Sequence, residues 1–123
     1  MKLVRDRIPE LAAANGHPGT SHQADPAEYA RRLRDKLLEE AHEAATASPA
    51  SLAEELGDVL QVLYALAADA GLTAAEIECA RARKARTHGI YTRRIIWQPS
   101  HQEAGRSIGD GGEVGWLLHQ GLA

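Results

Sequence analysis

The chain has 123 residues, 44% hydrophobic and 25% charged, with a formal net charge of -3. That composition fits one globular domain with a modest core, and it excludes a disulfide-built scaffold, because Cys79 is the single cysteine. Phe is absent and aromatics make up 4%, so the core must come from Ala, Leu, Val and Ile, which favours close-packed helices.

A lone cysteine fits a reducing cytoplasm. The opening MKLVRDRIPE is charged and lacks the apolar stretch of a secretory signal. Val4 to Ala14 is predicted to form a short first helix, with Pro9 near its start and Asn15-Gly16 as its stop. Asn15 to Ala24 is polar and reads as a loop.

Asp25-Pro26-Ala27-Glu28 is a strong helix start: Asp25 can cap, Pro26 suits the first helical position, and Glu28 completes a capping-box pattern. The second helix is predicted to end near Ala47, before Ser48-Pro49. Ser51-Leu52-Ala53-Glu54 reads as another box, opening a helix to Ala70 with Gly71 as terminator. Thr73-Ala74-Ala75-Glu76 reads as a third, opening a helix to about Thr87 with Gly89 beyond it. The apolar run Val59 to Leu72 is broken by Gln61 and Asp69 and is too short to cross a membrane. Arg93 to Gln98 reads as a short strand or extended arm that could pair with Lys2 to Val4. The expected division is a helical domain over residues 1–97 and a Gly-rich, flexible tail over 98–123, anchored by Trp116, Leu117 and Leu118.

Charge is unevenly spread. Leu37 to Ala80 holds nine acids and no Lys or Arg, whereas Cys79 to Arg94 holds six Lys or Arg and no acid. Two solvated faces of opposite sign would account for this. So would an acidic metal site beside a basic arm, both serving an anionic substrate.

Two patterns of one form favour the second account: Glu40-x-x-Glu43 and Glu55-x-x-Asp58. Residues three apart share a helix face. On the second helix the apolar stripe is Tyr29, Leu33, Leu37, Ala41 and Ala44, with Glu40 inside it and Glu43 at its edge. On the third it is Leu52, Leu56, Val59, Leu63 and Leu66, with Glu55 at its margin and Asp58 at its edge. Glu39 and Glu54 fall outside. Carboxylates are rarely buried unless paired, and neighbouring ones repel. Lys36 is placed to neutralise one at most. A hard divalent cation, which takes oxygen ligands, would balance the rest. Pairing with basic groups from elsewhere in the chain or from a partner is the alternative.

At these residues the sequence resembles the all-α nucleoside triphosphate pyrophosphohydrolases of the MazG-like and phosphoribosyl-ATP pyrophosphohydrolase-like group. Their E-E-x-x-E followed by E-x-x-D is matched by Glu39-Glu40-Ala41-His42-Glu43 and Glu55-Leu56-Gly57-Asp58. The opening KLVRDRIPE, the Lys36-Leu-Leu-Glu-Glu context and Lys84 with Gly89-Ile90-Tyr91 are similar as well. The resemblance covers about residues 2–97; His88-Gly89-Ile90-Tyr91 departs from the relatives' Arg-Gly-Gly-Phe.

The resemblance implies an all-α helical bundle completed by dimerisation, as a homodimer or a dimer of dimers. It implies Mg²⁺-dependent hydrolysis (with Mn²⁺ as a substitute) between the α- and β-phosphates of a nucleoside triphosphate. Carried over by position, Glu40, Glu43, Glu55 and Asp58 are metal ligands. Glu39 and Glu54 are candidates for orienting or deprotonating the attacking water. Lysines and arginines would stabilise the leaving pyrophosphate: Lys84 first, then Arg81, then Arg5, Arg7 and Arg86. Leu60 and Tyr64 on the third helix, and Leu38 on the second, face away from the stripes and point to burial against a second subunit.

Other readings are weaker. Glu39-x-x-His42 resembles one di-iron element, but that architecture needs two. Cys79 has no evident catalytic partner. His17, His22, His88, His101 and His119 are scattered, against a zinc site. The segment Arg81 to Arg94 has no interleaved aromatic but Tyr91, against nucleic-acid binding. A non-enzymatic helical dimer, or hydrolysis of phosphoribosyl-ATP specifically, are the main rivals.

Overall fold

The structure, a computed structural model, describes residues 1–100. It is all-α: helices α1 (Ile8–Ala14), α2 (Pro26–Ala45), α3 (Leu52–Asp69) and α4 (Ala74–His88), with no strand among the described residues. The described residues fall into two units, Met1–Ile77 and those from Glu78 onward. The expected tail falls outside the described residues from 101 onward.

The helix ends follow from local chemistry. Asp25 is extended (φ -71°, ψ 169°), and its side chain accepts from the Glu28 N–H at 2.9 Å, while Pro26 takes the first helical position. At α4 the box is reciprocal: the Thr73 N–H donates to Glu76 Oε2 at 2.7 Å, and the Glu76 N–H donates to Thr73 Oγ1 at 3.1 Å. The box expected at Ser51 does not form. Ser51 is already in the helical region (φ -102°, ψ -8°), and its hydroxyl contacts Ser48 Oγ at 3.0 Å, because a turn over Ser48–Ser51 leads directly into α3.

Gly71 closes α3 at φ +77°, with the Leu72 N–H donating to the Ala67 carbonyl and the Gly71 N–H to that of Ala68. This is a Schellman arrangement, and its left-handed residue favours glycine. The same pair of bonds closes α1 at Gly16. Helix α1 begins at Ile8 rather than Val4. Asp6 and Arg7 lie in a turn closed by the Ile8 N–H on the Arg5 carbonyl at 3.0 Å. Residues 2–5 therefore form an irregular strap.

The strand reading of Arg93 to Gln98, and its pairing with Lys2 to Val4, are also corrected. Neither Lys2–Val4 nor Arg93–Gln98 is a strand. Arg94 has φ 54° and donates its N–H to the Tyr91 carbonyl at 3.0 Å, so a left-handed turn interrupts the run.

In the first unit α2 and α3 pack on each other. The buried residues are Leu33, Val62 and Ala67, joined by Glu40 at 7% exposure. The packed face of α3 is turned from the predicted stripe. Val62 is buried and Glu55, Asp58, Val59 and Leu66 are half-buried, while Leu52, Leu56 and Leu63 are exposed. Ala41 on α2 is exposed too. Helix α3 is apolar on more than one side, so a wheel cannot say which side meets α2. The outcome moves Glu55 and Asp58 from the margin of the contact to within it, and it leaves Leu52, Leu56, Leu60, Leu63 and Tyr64 in the open.

Candidate metal centre

Helices α2 and α3 bring three carboxylates together. One oxygen each from Glu40, Glu55 and Asp58 lies within 4.8 Å of the others. The i,i+3 spacing puts Glu55 and Asp58 on one side of α3, and Glu40 sits opposite them in the apolar stripe of α2. Glu40 Oε2 and Glu55 Oε2 are buried and lack a hydrogen-bond partner. A buried, unpartnered carboxylate oxygen is costly. Two of them in one cluster fit a hard divalent cation, for which oxygen donors are the preferred ligands.

The cluster stands at a cleft of about 560 Å³ lined by α2, α3 and the N-terminal strap. Glu40 and Asp58 contribute to its wall, as do Lys2, Arg5 and Lys36, and apolar lining comes from Leu33 and Val62. The strap is tied down at several points. Arg32 Nη1 donates to the Met1 carbonyl at 3.1 Å, Lys2 Nζ donates to Glu39 Oε1 at 2.9 Å, and Arg5 Nη2 donates to Asp58 Oδ1 at 2.7 Å.

Part of the acidic charge is thus balanced by groups from elsewhere in the chain. Lys36 also does more than the sequence reading allowed it: its Nζ lies 3.0 Å from Glu40 Oε1 and 3.5 Å from Glu39 Oε1. Lys36 sits one turn from Glu40 and was legible from spacing. Lys2 was not, since 37 residues separate it from Glu39, and the 53 residues between Arg5 and Asp58 hide that pair equally.

The remaining predicted residues are placed differently. Glu43 is exposed and not part of the three-carboxylate cluster. It still feels the cluster. Its carboxyl is held above the usual glutamate range, first by the adjacent Glu40 carboxylate, then by desolvation and the Glu55 and Glu39 charges. Glu39 is held below that range, chiefly by its hydrogen bond from Lys2, against desolvation and with help from Lys36. Glu54 is exposed on the first turn of α3. Arg7 is exposed and pairs with Glu10 at 3.4 Å.

Arg81, Lys84 and Arg86 lie on the part of α4 that belongs to the second unit, and all three are exposed. Arg81 makes a two-point contact with Glu78, at 2.9 Å through Nε and 2.6 Å through Nη2. That contact raises the Arg81 pKa and lowers the Glu78 pKa. The reach of Arg81 toward an anion is therefore contested by its own helix neighbour.

In this all-α chain a carboxylate cluster between two helices thus stands beside a cleft with cationic residues in its wall. A family profile described as phosphoribosyl-ATP pyrophosphohydrolase matches residues 10–95, and the chain belongs to that family. Its members are pyrophosphohydrolases, hydrolases acting on phosphoric anhydrides. No curated protein and no solved structure matches the chain. Among the described residues, no single helix is long and apolar enough to cross a membrane.

Proposed function

We propose that the protein is a Mg²⁺-dependent nucleoside triphosphate pyrophosphohydrolase. It cleaves the anhydride between the α- and β-phosphates of an NTP or dNTP, releasing a nucleoside monophosphate and pyrophosphate, and serves the upkeep of the cytoplasmic nucleotide pool. The observation that carries this reading is the pair of buried, unpartnered oxygens on Glu40 and Glu55 within a cluster that Asp58 completes.

Glu40, Glu55 and Asp58 would hold Mg²⁺, with Glu43 as a further ligand from the rim. When bound, Mg²⁺ supplies positive charge against the phosphates and favours ionisation of water. The chain's own groups account for the rest. Glu39, beside Lys36 and kept ionised by Lys2, is the better placed of the two outer carboxylates to orient the attacking water; Glu54 is the other. Lys36 and Arg5 line the cleft and would meet the phosphates of a bound triphosphate. Lys84, Arg81, Arg86 and Arg7 are the further cations for the leaving pyrophosphate.

A second copy of the chain is the proposed partner. Leu56, Leu60, Leu63 and Tyr64 keep 40–53% of their surface exposed along one side of α3, and Leu38 on α2 keeps 71%. A homodimer buries such a stripe most simply, because one patch then serves both subunits.

The family match favours a second, narrower substrate. Phosphoribosyl-ATP is itself a nucleoside triphosphate with a substituted base, and the same bond would be cut. The test is a panel of common nucleotides, damaged nucleotides and phosphoribosyl-ATP, each incubated with Mg²⁺ and followed by pyrophosphate release. Turnover of several triphosphates supports the broad reading, and turnover of phosphoribosyl-ATP alone supports the narrow one. A folded protein that turns over none of them is a non-enzymatic helical module.

A further inference from the structure

The two cations seated on the carboxylate cluster are held with different firmness. Lys36 and Glu40 meet at 3.0 Å with only 16% and 10% of their side-chain surface exposed. Arg5 and Asp58 meet at 2.7 Å with 56% and 32% exposed. The first pair lies one turn apart on a single helix, so the backbone fixes its geometry, and breaking it would strand a buried charge. The second joins an irregular strap to α3 across 53 residues of chain. An exposed pair of that kind contributes little.

The oxygens differ as well. Lys36 takes Glu40 Oε1 and leaves Oε2, which is buried, without a partner. Glu40 can therefore keep Lys36 on one oxygen while the other serves the cluster. Carboxylates that bind metals are commonly fixed in this way by a second hydrogen bond. Asp58 instead meets a guanidinium on a side chain that is more than half exposed, so displacing it costs little.

We propose that these two cations bear opposite relations to the metal: Lys36 is a positioning residue that aims Glu40 Oε2 into the cluster, whereas Arg5 is a displaceable counter-ion that holds Asp58 until a divalent cation takes it. The inference rests on reading Glu40, Glu55 and Asp58 as cation ligands. Arg5, once released, remains in the wall of the cleft, where the phosphates of a substrate would meet it.

The test is calorimetric titration of the full chain with Mn²⁺ alone, without nucleotide, for the wild type and for Arg5→Met, Lys36→Met, Lys36→Arg and Glu40→Gln. Arg5→Met is expected to tighten Mn²⁺ binding by up to about fivefold, the worth of an exposed ion pair. Lys36→Met is expected to weaken it by about tenfold or more, with Lys36→Arg recovering part of the loss. Removal of a nearby positive charge would by itself tighten binding in both, so opposite signs are the signature. Circular dichroism checks the fold, and Lys36→Leu, which likewise offers Glu40 no donor and carries the same expectation, replaces Lys36→Met if that variant does not fold. Tightening in both, or unchanged or weaker binding in Arg5→Met, overturns the proposal while wild-type binding leaves the metal centre standing. A wild type that takes no Mn²⁺, or a Glu40→Gln variant that binds it equally well, overturns the metal centre and this inference together.

Discussion

Helices α2 and α3 pack on each other, whereas the side-chain hydrogen bonds described for α4 are to neighbours in sequence. The buried residues Leu33, Glu40, Val62 and Ala67 all lie on α2 and α3, and α4 buries none of its residues. The side-chain hydrogen bonds of α4 span one to four residues, as in Thr87 with His88, Thr73 with Glu76 and Arg81 with Glu78. Ion pairs at the hairpin reach across 37 and 53 residues. Charge means different things in the two settings. Among packed apolar side chains a carboxylate loses water and needs a cation, so a cluster there points to chemistry. On an exposed helix the same charge density is solvated and satisfied locally.

The sharpest way to break this contrast is at the cluster. Glu40→Gln and Asp58→Asn are each expected to lower Mg²⁺-dependent turnover by roughly 100-fold or more, with helix content unchanged by circular dichroism. Both variants keeping wild-type activity would mean that the cluster is not the site. Glu40→Gln also loosens Lys36, which keeps Glu39 at 3.5 Å. Relief of repulsion toward Glu43 is then offset, and little net gain in stability is expected.

Packing comes next. Leu33 is 1% exposed, and Leu33→Ala should cost about 2–5 kcal/mol in urea unfolding. Ile77 on α4 is 42% exposed, and Ile77→Ala should cost about 1 kcal/mol or less. Equal costs would show that α4 contributes to the core as much as the hairpin does.

What could be read from the sequence follows the same division. Features made by residues a few positions apart were legible: the Asp25 cap, the Thr73–Glu76 box, the Gly71 stop, and the burial of Glu40 among Leu33, Leu37 and Ala44. Features that depend on which side of a helix meets another were not. Of the stripe Leu52, Leu56, Val59, Leu63 and Leu66, only Val59 and Leu66 are half-buried and the rest are exposed, because α3 has apolar residues nearly all round and only packing chooses among its faces. The strap was invisible for a related reason: nothing local in Lys2 or Arg5 announces a carboxylate on another helix. Ser51 shows the reverse failure, a correct local pattern overruled by the turn before it, whose serine takes the hydroxyl.

The caps give a smaller effect. Thr73→Ala removes the acceptor of the Glu76 N–H and should cost about 1 kcal/mol. Because α4 buries no residue, the loss should appear as faster amide exchange over its first turn rather than as a drop in the global midpoint. A global loss as large as that of Leu33→Ala would place α4 in the cooperative core.

The smallest effect lies at the start of α2, where Glu28 accepts from His22 at 2.9 Å and from Arg32 at 3.4 Å. Its carboxyl is held below the ordinary 4.5, first by the hydrogen bond with His22 and then, against desolvation, by the His22 charge and by Arg32. A carboxylate whose folded pKa is depressed binds its proton more weakly in the folded state than in the unfolded one. The stability it contributes is therefore complete above about 4.5 and lost as pH falls through the lowered folded value. Glu28→Gln should be slightly less stable than the wild type at neutral pH, and the gap in thermal midpoint should close as the solution is acidified below that point. Glu39 and Glu78, also depressed, are present in both proteins and drop out of the comparison. A gap that stays constant across the acid range would mean that Glu28 acts through packing or helix propensity, and that the start of α2 is held by the Asp25 cap alone.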